Sequence, residues 1–174
     1  MSRPILTSRR RMLALPVLLA SPAALVQAAT PRAAVLTITG PNLRAPAQGG
    51  RFAFDLGALQ ALAQRKIVAT TPWYKDPVEF GGPLLRDVLQ AGGVPPEAQG
   101  TLRCTALNDY RVEIPLDDAH RFDVVVAHLL NGKPMSVREK GPLFVIYPFD
   151  EQPQLRTTVY YSRCIWQLKA IALA

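Results

Sequence analysis

Three stretches in the last third of the chain decide its fold: Asn131-Gly132-Lys133-Pro134-Met135, Lys140-Gly141-Pro142-Leu143-Phe144-Val145-Ile146-Tyr147-Pro148, and Cys164-Ile165-Trp166-Gln167-Leu168. Asn-Gly is a strong hairpin signal, so the first stretch predicts a tight turn between two strands. The apolar run from Leu143 to Tyr147 predicts a strand in the interior. The alternation from Ile165 to Leu173 predicts a last strand with one solvent-exposed face.

Outside this region the sequence predicts one strand-dominated α+β domain over residues 29–174. Asp55 is a suitable N-cap, so a helix is expected from Leu56 onward. A turn at Phe80–Gly82 is expected to feed a second helix that starts near Pro83 and stops at Gly92-Gly93. Further elements are expected as strands at 34–39, 51–55, 66–69, 101–107, 110–114 and 124–130, and as a helical turn at 115–120.

Residues 1–28 predict a cleaved export signal and a periplasmic or otherwise exported protein. Four arginines and no acid precede the apolar run 12–26, and Ala28 or Ala29 supplies the cleavage site. The segment Ser8-Arg9-Arg10-Arg11-Met12-Leu13 resembles a twin-arginine motif, and an ordinary Sec signal is the alternative. A retained membrane anchor is disfavoured because the run is short and contains Pro16 and Pro22.

The charge of the chain does not indicate a nucleic-acid partner. Loss of residues 1–28 removes four of the 20 basic residues and none of the 13 acidic ones, so the net charge falls from +7 to +3. The remaining basic residues are interspersed with acids rather than clustered on one segment. Much of the high isoelectric point therefore belongs to the predicted signal.

Cys104 and Cys164 are the only cysteines of the chain. An oxidising compartment allows a disulfide between them, and two free buried thiols are the alternative. Together with His120 and His128 they show no metal-ligand spacing. His128 lies among apolar strand residues and is expected in the core, whereas His120 is expected at the surface.

Three blocks, in their order and spacing, resemble the sulfite-oxidase-type molybdopterin-binding domain family, in particular its small exported members. The first is Trp73 with Phe80-Gly81-Gly82-Pro83-Leu84-Leu85-Arg86-Asp87-Val88-Leu89, the second is Ala106-Leu107-Asn108-Asp109-Tyr110 with Ile114-Pro115, and the third is the C-terminal region quoted above. They span most of residues 66–173. The resemblance implies the fold of that family, a molybdopterin cofactor and oxidoreductase chemistry.

The cofactor residues that the resemblance implies are largely missing. Family enzymes hold molybdenum through a cysteine thiolate just before the first block, where this chain reads Ile67-Val68-Ala69-Thr70-Thr71. Family members carry positive charge at three positions of the third block. At the matching positions this chain has Lys140, Phe144 and Ile165, so only the first keeps its charge. Each lost contact to a phosphate is worth about 1.5–3 kcal/mol. The prediction is therefore a domain without a cofactor, with molybdopterin as the alternative.

The candidate ligand site combines basic, aromatic and turn residues. If the connections before the strands at Leu143 and Ile165 lie side by side, their basic residues and tyrosines form a cationic, aromatic-rimmed cleft for a small anion. The alternatives are solvated arginines, ordinary turn residues and core aromatics. The candidate residues are Trp73, Asn108, Asp109, Arg138, Lys140, Tyr161 and Arg163.

Two functions from different classes follow from these observations. The first is an exported domain that binds a small anionic ligand or a periplasmic or membrane protein partner, in a sensory or accessory role. The second is a periplasmic molybdopterin-dependent oxidoreductase, in which Arg138 and Arg163 would orient an oxyanion substrate. No nucleophile motif or phosphate-binding loop is present in the sequence.

Overall fold

The structure is a computed structural model that describes residues 33–174. The predicted export signal lies outside the described residues. Within them, the chain forms three sheets and four short helices, so the α+β, strand-dominated prediction is confirmed. In residues 33–174 no helix combines the length and the apolar character needed to cross a membrane.

The largest sheet has five strands in the order β2-β1-β12-β5-β6. Neighbours pair antiparallel, except that the last strand runs parallel to the first. Its strands are β1 (Leu36–Thr39), β2 (Arg51–Phe54), β5 (Thr101–Ala106), β6 (Arg111–Pro115) and β12 (Leu168–Leu173).

Two smaller antiparallel sheets complete the domain. One has the order β3-β4-β8-β9, and the other has the order β11-β10-β7. Their strands are β3 (Gln64–Ala69), β4 (Val78–Pro83), β7 (Val125–Ala127), β8 (Leu129–Leu130), β9 (Lys133–Pro134), β10 (Phe144–Ile146) and β11 (Ile165–Trp166).

The helices lie between strands and are all short. They are α1 (Leu56–Gln60), α2 (Leu85–Ala91), α3 (Leu116–Arg121) and α4 (Thr158–Arg163), with 3₁₀ turns at Val137–Glu139 and Pro153–Leu155. As expected from the sequence, Asp55 caps α1 by accepting a hydrogen bond from the Ala58 amide at 2.7 Å.

The core is centred on β10, as its apolar sequence predicted. Phe144, Val145, Ile146 and Tyr147 are fully buried. The Asn131-Gly132 turn is also confirmed, since both residues have the positive φ angles, 49° and 74°, of a tight hairpin between β8 and β9. His128 is buried and bonded to Gln64, with 2.9 Å between Nε2 and Oε1, and burial lowers its pKa.

Two predicted strands are wrong because each divides between two sheets. The run 124–130 breaks at His128 into β7 and β8, and the run 165–173 breaks at Gln167 into β11 and β12. Gln167 has a φ of 56°, its amide donates to the Lys140 carbonyl, and its own carbonyl accepts from the Leu107 amide. Apolar alternation continues across both breaks, so the pattern alone could not show them.

The Phe80–Gly82 turn is a second error. These residues belong to β4, which pairs with β3 on one side and β8 on the other, so α2 begins at Leu85 and not at Pro83. Gly82 permits the backbone of β4 to approach that of β7. A Cβ at position 82 would lie 2.1 Å from the Val126 carbonyl oxygen. The glycines mark a close strand crossing and not a turn.

We expect Gly82→Ala to lower the free energy of unfolding by about 2 kcal/mol or more, because the added methyl meets backbone that cannot yield. Gly81→Ala is the matched control. There the new Cβ would lie 3.3 Å from a Leu129 side-chain atom, and the loss should stay below about 1 kcal/mol. Urea unfolding of both variants measures the difference, and equal stabilities would contradict the proposed crossing.

Candidate functional site

An open cleft of about 490 Å³ lies where the segment after β3 meets α4, β11 and the β5–β6 hairpin. Its volume is in the range typical of small-molecule sites. Most of its wall is aromatic or apolar. The lining residues are Pro72, Trp73, Ala106, Asn108, Tyr110, Thr158, Tyr161, Ser162, Cys164 and Trp166. We call this site the Trp73 cleft.

Trp73 organises the aromatic wall of the cleft. Its ring centroid lies 5.9 Å from that of Tyr161 and 5.8 Å from that of Trp166, at interplanar angles of 87° and 72°. Behind them, the buried ring of Phe144 packs against Trp73 at 5.8 Å and against Trp166 at 6.1 Å. Edge-to-face contacts of this kind are favourable and fix the rings against the core.

The polar groups of the Trp73 cleft are uncharged. Asn108 Oδ1 accepts a hydrogen bond from the Tyr110 amide at 3.2 Å, and Ser162 Oγ donates to the Val159 carbonyl at 2.8 Å. Thr158 and the tyrosine hydroxyls add further hydrogen-bonding groups. None of the ten lining residues is acidic or basic. The site therefore favours ligands through aromatic contact and neutral hydrogen bonds.

The segment that enters the cleft is held at the end of β3 by Asp150. The Thr70 amide and hydroxyl each donate to the Asp150 carboxylate at 3.0 Å, and Arg156 also pairs with it. Burial acts to raise the pKa of Asp150, but these hydrogen bonds outweigh it and hold the pKa below its ordinary value. The next residue, Thr71, has a buried hydroxyl oxygen with no hydrogen-bond partner within residues 33–174.

Helix α4 is held by a buried carboxylate that sequence reasoning missed. Asp118 accepts hydrogen bonds at 2.7 Å from both the Tyr147 hydroxyl and the Arg163 guanidinium. The Asp118 side chain is only 6% exposed and Arg163 is 23% exposed. Burial, followed by the contact with Asp118, raises the pKa of Tyr147. Asp117 and Asp118 are adjacent acids in the first turn of α3, and the local sequence does not distinguish the buried one from the exposed one.

Both cysteines are free, buried thiols, which is the second of the two possibilities that the sequence left open. Burial raises the pKa of each to about 12, which keeps them protonated at neutral pH. Cys104 lies in β5, whereas Cys164 lines the cleft with its Sγ 3.5 Å from the Tyr160 carbonyl oxygen. Within residues 33–174, no group of three or more His, Cys, Asp or Glu side chains is placed to hold a metal.

The structure brings together three of the seven predicted site residues, Trp73, Asn108 and Tyr161, in the Trp73 cleft. Whether they bind a ligand remains a prediction. Tyr110 and Trp166 also line the cleft, although neither is among the seven predicted residues. Sequence spacing showed that these residues follow or precede strands, but not that the strand ends meet.

None of the four charged candidates lines the Trp73 cleft. Arg163 turns toward Asp118, Lys140 Nζ lies 4.8 Å from the centre of the Tyr74 ring, and Asp109 pairs with Lys169 at 2.7 Å. The hydrogen bond from Lys169 lowers the pKa of Asp109. Arg138 is exposed in a 3₁₀ turn. The Tyr160–Arg163 segment was expected to be a connection before the last strand, and it forms most of helix α4, whose Arg163 does not line the cleft.

Comparison with known proteins identifies the family. Residues 56–149 match the oxidoreductase molybdopterin binding domain, which is more than half of the 174-residue chain. The chain belongs to this family. The resemblance stated from the sequence is therefore confirmed. No curated protein matches the chain.

Solved structures with this fold include the sulfane dehydrogenase SoxCD from Paracoccus pantotrophus, one of 28 matching chains. The TM-score is 0.56 at 16% sequence identity, and the match covers 79% of this chain and 37% of that chain. At this identity the likeness shows the fold alone. The present chain thus corresponds to little more than a third of the SoxCD chain.

We expect Arg163→Met to lower the free energy of unfolding by about 3 kcal/mol, because it leaves the Asp118 carboxylate buried without its cation. Arg121→Met is the matched control, since Arg121 forms an exposed pair with Asp117 at 3.4 Å and should cost at most about 0.5 kcal/mol. Denaturant unfolding of both variants is the measurement. Equal losses would show that Asp118 does not depend on Arg163.

Proposed function

We propose that this protein is an exported ligand-binding member of the molybdopterin-binding family, which takes a small organic ligand in the Trp73 cleft and lacks thiolate-bound molybdenum. A sensory or accessory role with a periplasmic or membrane protein partner is part of this proposal. The observation that carries it is the chemistry of the cleft wall, in which no residue is charged.

The residues present do not fit a molybdenum-bearing molybdopterin. Its phosphate calls for cationic donors, yet the nearby Arg163 and Arg156 are engaged by Asp118 and Asp150. Molybdenum calls for a deprotonated sulfur, yet the segment after β3, where family enzymes carry their cysteine, offers threonines.

The chemistry of the Trp73 cleft favours a different ligand from the small anion that was expected from the sequence. A small anionic ligand was expected on the condition that Arg138, Lys140 and Arg163 converge, but none of the three lines the Trp73 cleft, and Arg163 is paired with Asp118. An anion in the Trp73 cleft would lose hydration without gaining an ion pair, which is unfavourable. A neutral ligand does not carry that cost, and a cation offsets part of it through attraction to the ring faces.

Molybdopterin-dependent oxidoreduction is the second candidate function. Family membership favours it, as does one feature of this chain, namely that Cys164 is a thiol at the cleft wall. For this candidate Cys164 would have to lose its proton despite burial. The sulfur ligand of molybdenum would then come from Cys164, immediately before β11, and not from the segment after β3.

The deciding experiment measures molybdenum and pterin in the full chain, exported through its own N-terminal segment from molybdenum-replete cells. We expect neither in stoichiometric amount. A family member that retains the cysteine before the first block, prepared from the same cells, is the positive control. Stoichiometric molybdenum that is lost in Cys164→Ser would contradict the proposal and establish the second candidate.

A further inference from the structure

We propose that the Trp73 cleft is an aromatic cage for a quaternary ammonium group. This inference rests on the proposed ligand-binding function and names the chemical class of the ligand. It follows from the arrangement of four aromatic rings and from the charges around them.

The rings form a corner and not a slot. Tyr161 and Trp166 each stand nearly perpendicular to Trp73, at 87° and 72°, and Tyr110 lines the same cleft from the β5–β6 hairpin. A flat heterocycle is best held between parallel faces, which Trp73 does not share with either neighbour. A rounded trimethylammonium group can instead touch several rings at once, and each electron-rich face attracts its charge.

The charges near the cleft permit a cation to enter. No lining residue is basic, so nothing on the wall repels a positive ligand directly. Arg163 is paired with Asp118 at 2.7 Å, and Lys169 is paired with Asp109 at 2.7 Å. No carboxylate lines the cleft either, so only the aromatic rings attract a cation. They favour a weakly hydrated quaternary ammonium over a strongly hydrated primary amine.

The rim of the cleft can hold the rest of such a ligand. Asn108, Thr158 and Ser162 are solvent-exposed and line the cleft beside the rings. Their amide and hydroxyl groups can bond to a hydroxyl or similar neutral substituent without adding charge. Small quaternary ammonium compounds with one polar arm, of which choline is the simplest, match this arrangement.

The fluorescence of the protein reports on the site directly. Trp73 and Trp166 are the only tryptophans of the chain, and both line the cleft. Choline chloride is titrated into the exported full chain at constant ionic strength, with 3,3-dimethyl-1-butanol as the neutral isostere. We expect a saturable change in tryptophan emission with choline, and binding of the isostere weaker by about fivefold or more.

Tyr110→Leu tests the cage without disturbing the core, since Tyr110 is 56% exposed. We expect it to weaken choline binding by about threefold or more. Tyr74→Leu is the matched control, because Tyr74 packs against Phe80 outside the cleft and its loss should leave choline binding unchanged. Tyr161→Leu, which removes a ring of the corner itself, should weaken binding at least as much as Tyr110→Leu.

The other outcomes separate this inference from the proposed function. Equal binding of choline and its isostere would overturn the cation preference while leaving an apolar ligand site in place. No response to either probe would overturn the aromatic cage. The measurement of molybdenum and pterin content would then test the proposed function separately. Loss of choline binding in Tyr74→Leu to the same extent as in Tyr110→Leu would place the site elsewhere and overturn the assignment.

Discussion

The Asp118 carboxylate ties together three parts of the chain that are far apart in sequence. It lies in α3 and accepts hydrogen bonds from Tyr147, at the end of β10, and from Arg163, at the end of α4. Removing one partner of such a buried pair is far more costly than the net gain of forming it. The position of α4, and with it the Tyr161 and Ser162 side of the Trp73 cleft, depends on this carboxylate.

The use of Arg163 as a structural cation explains the character of the cleft. A guanidinium that satisfies a buried carboxylate is not available to a phosphate or an oxyanion, and Arg156 is paired with the more exposed carboxylate of Asp150. Because Arg163 and Arg156 are both paired with carboxylates, the groups that remain available to a ligand in the Trp73 cleft are aromatic rings and neutral polar groups. In our proposal, the family fold is retained while the Trp73 cleft offers ring faces and neutral hydrogen bonds to a ligand.

The sequence predicted the interior better than the connections. The apolar run at β10, the Asn131-Gly132 hairpin and the Asp55 cap depend on neighbouring residues, and all three were confirmed. The divided strands and the buried Asp118 depend on distant partners that no local pattern contains. Trp73 and Tyr161 could be proposed as site residues from the sequence, because both are aromatic residues near strand ends. The pairing of Arg163 with Asp118 could not be predicted, because it depends on the helical conformation of α4.

The most direct test of the account is a crystal structure of the full chain exported from molybdenum-replete cells, with anomalous data collected at the molybdenum edge. The account predicts no molybdenum peak in the Trp73 cleft, the Cys164 sulfur in contact with the Tyr160 carbonyl, and Arg163 bonded to Asp118. A molybdenum peak at bonding distance from the Cys164 sulfur, with pterin density against Trp73, would contradict it.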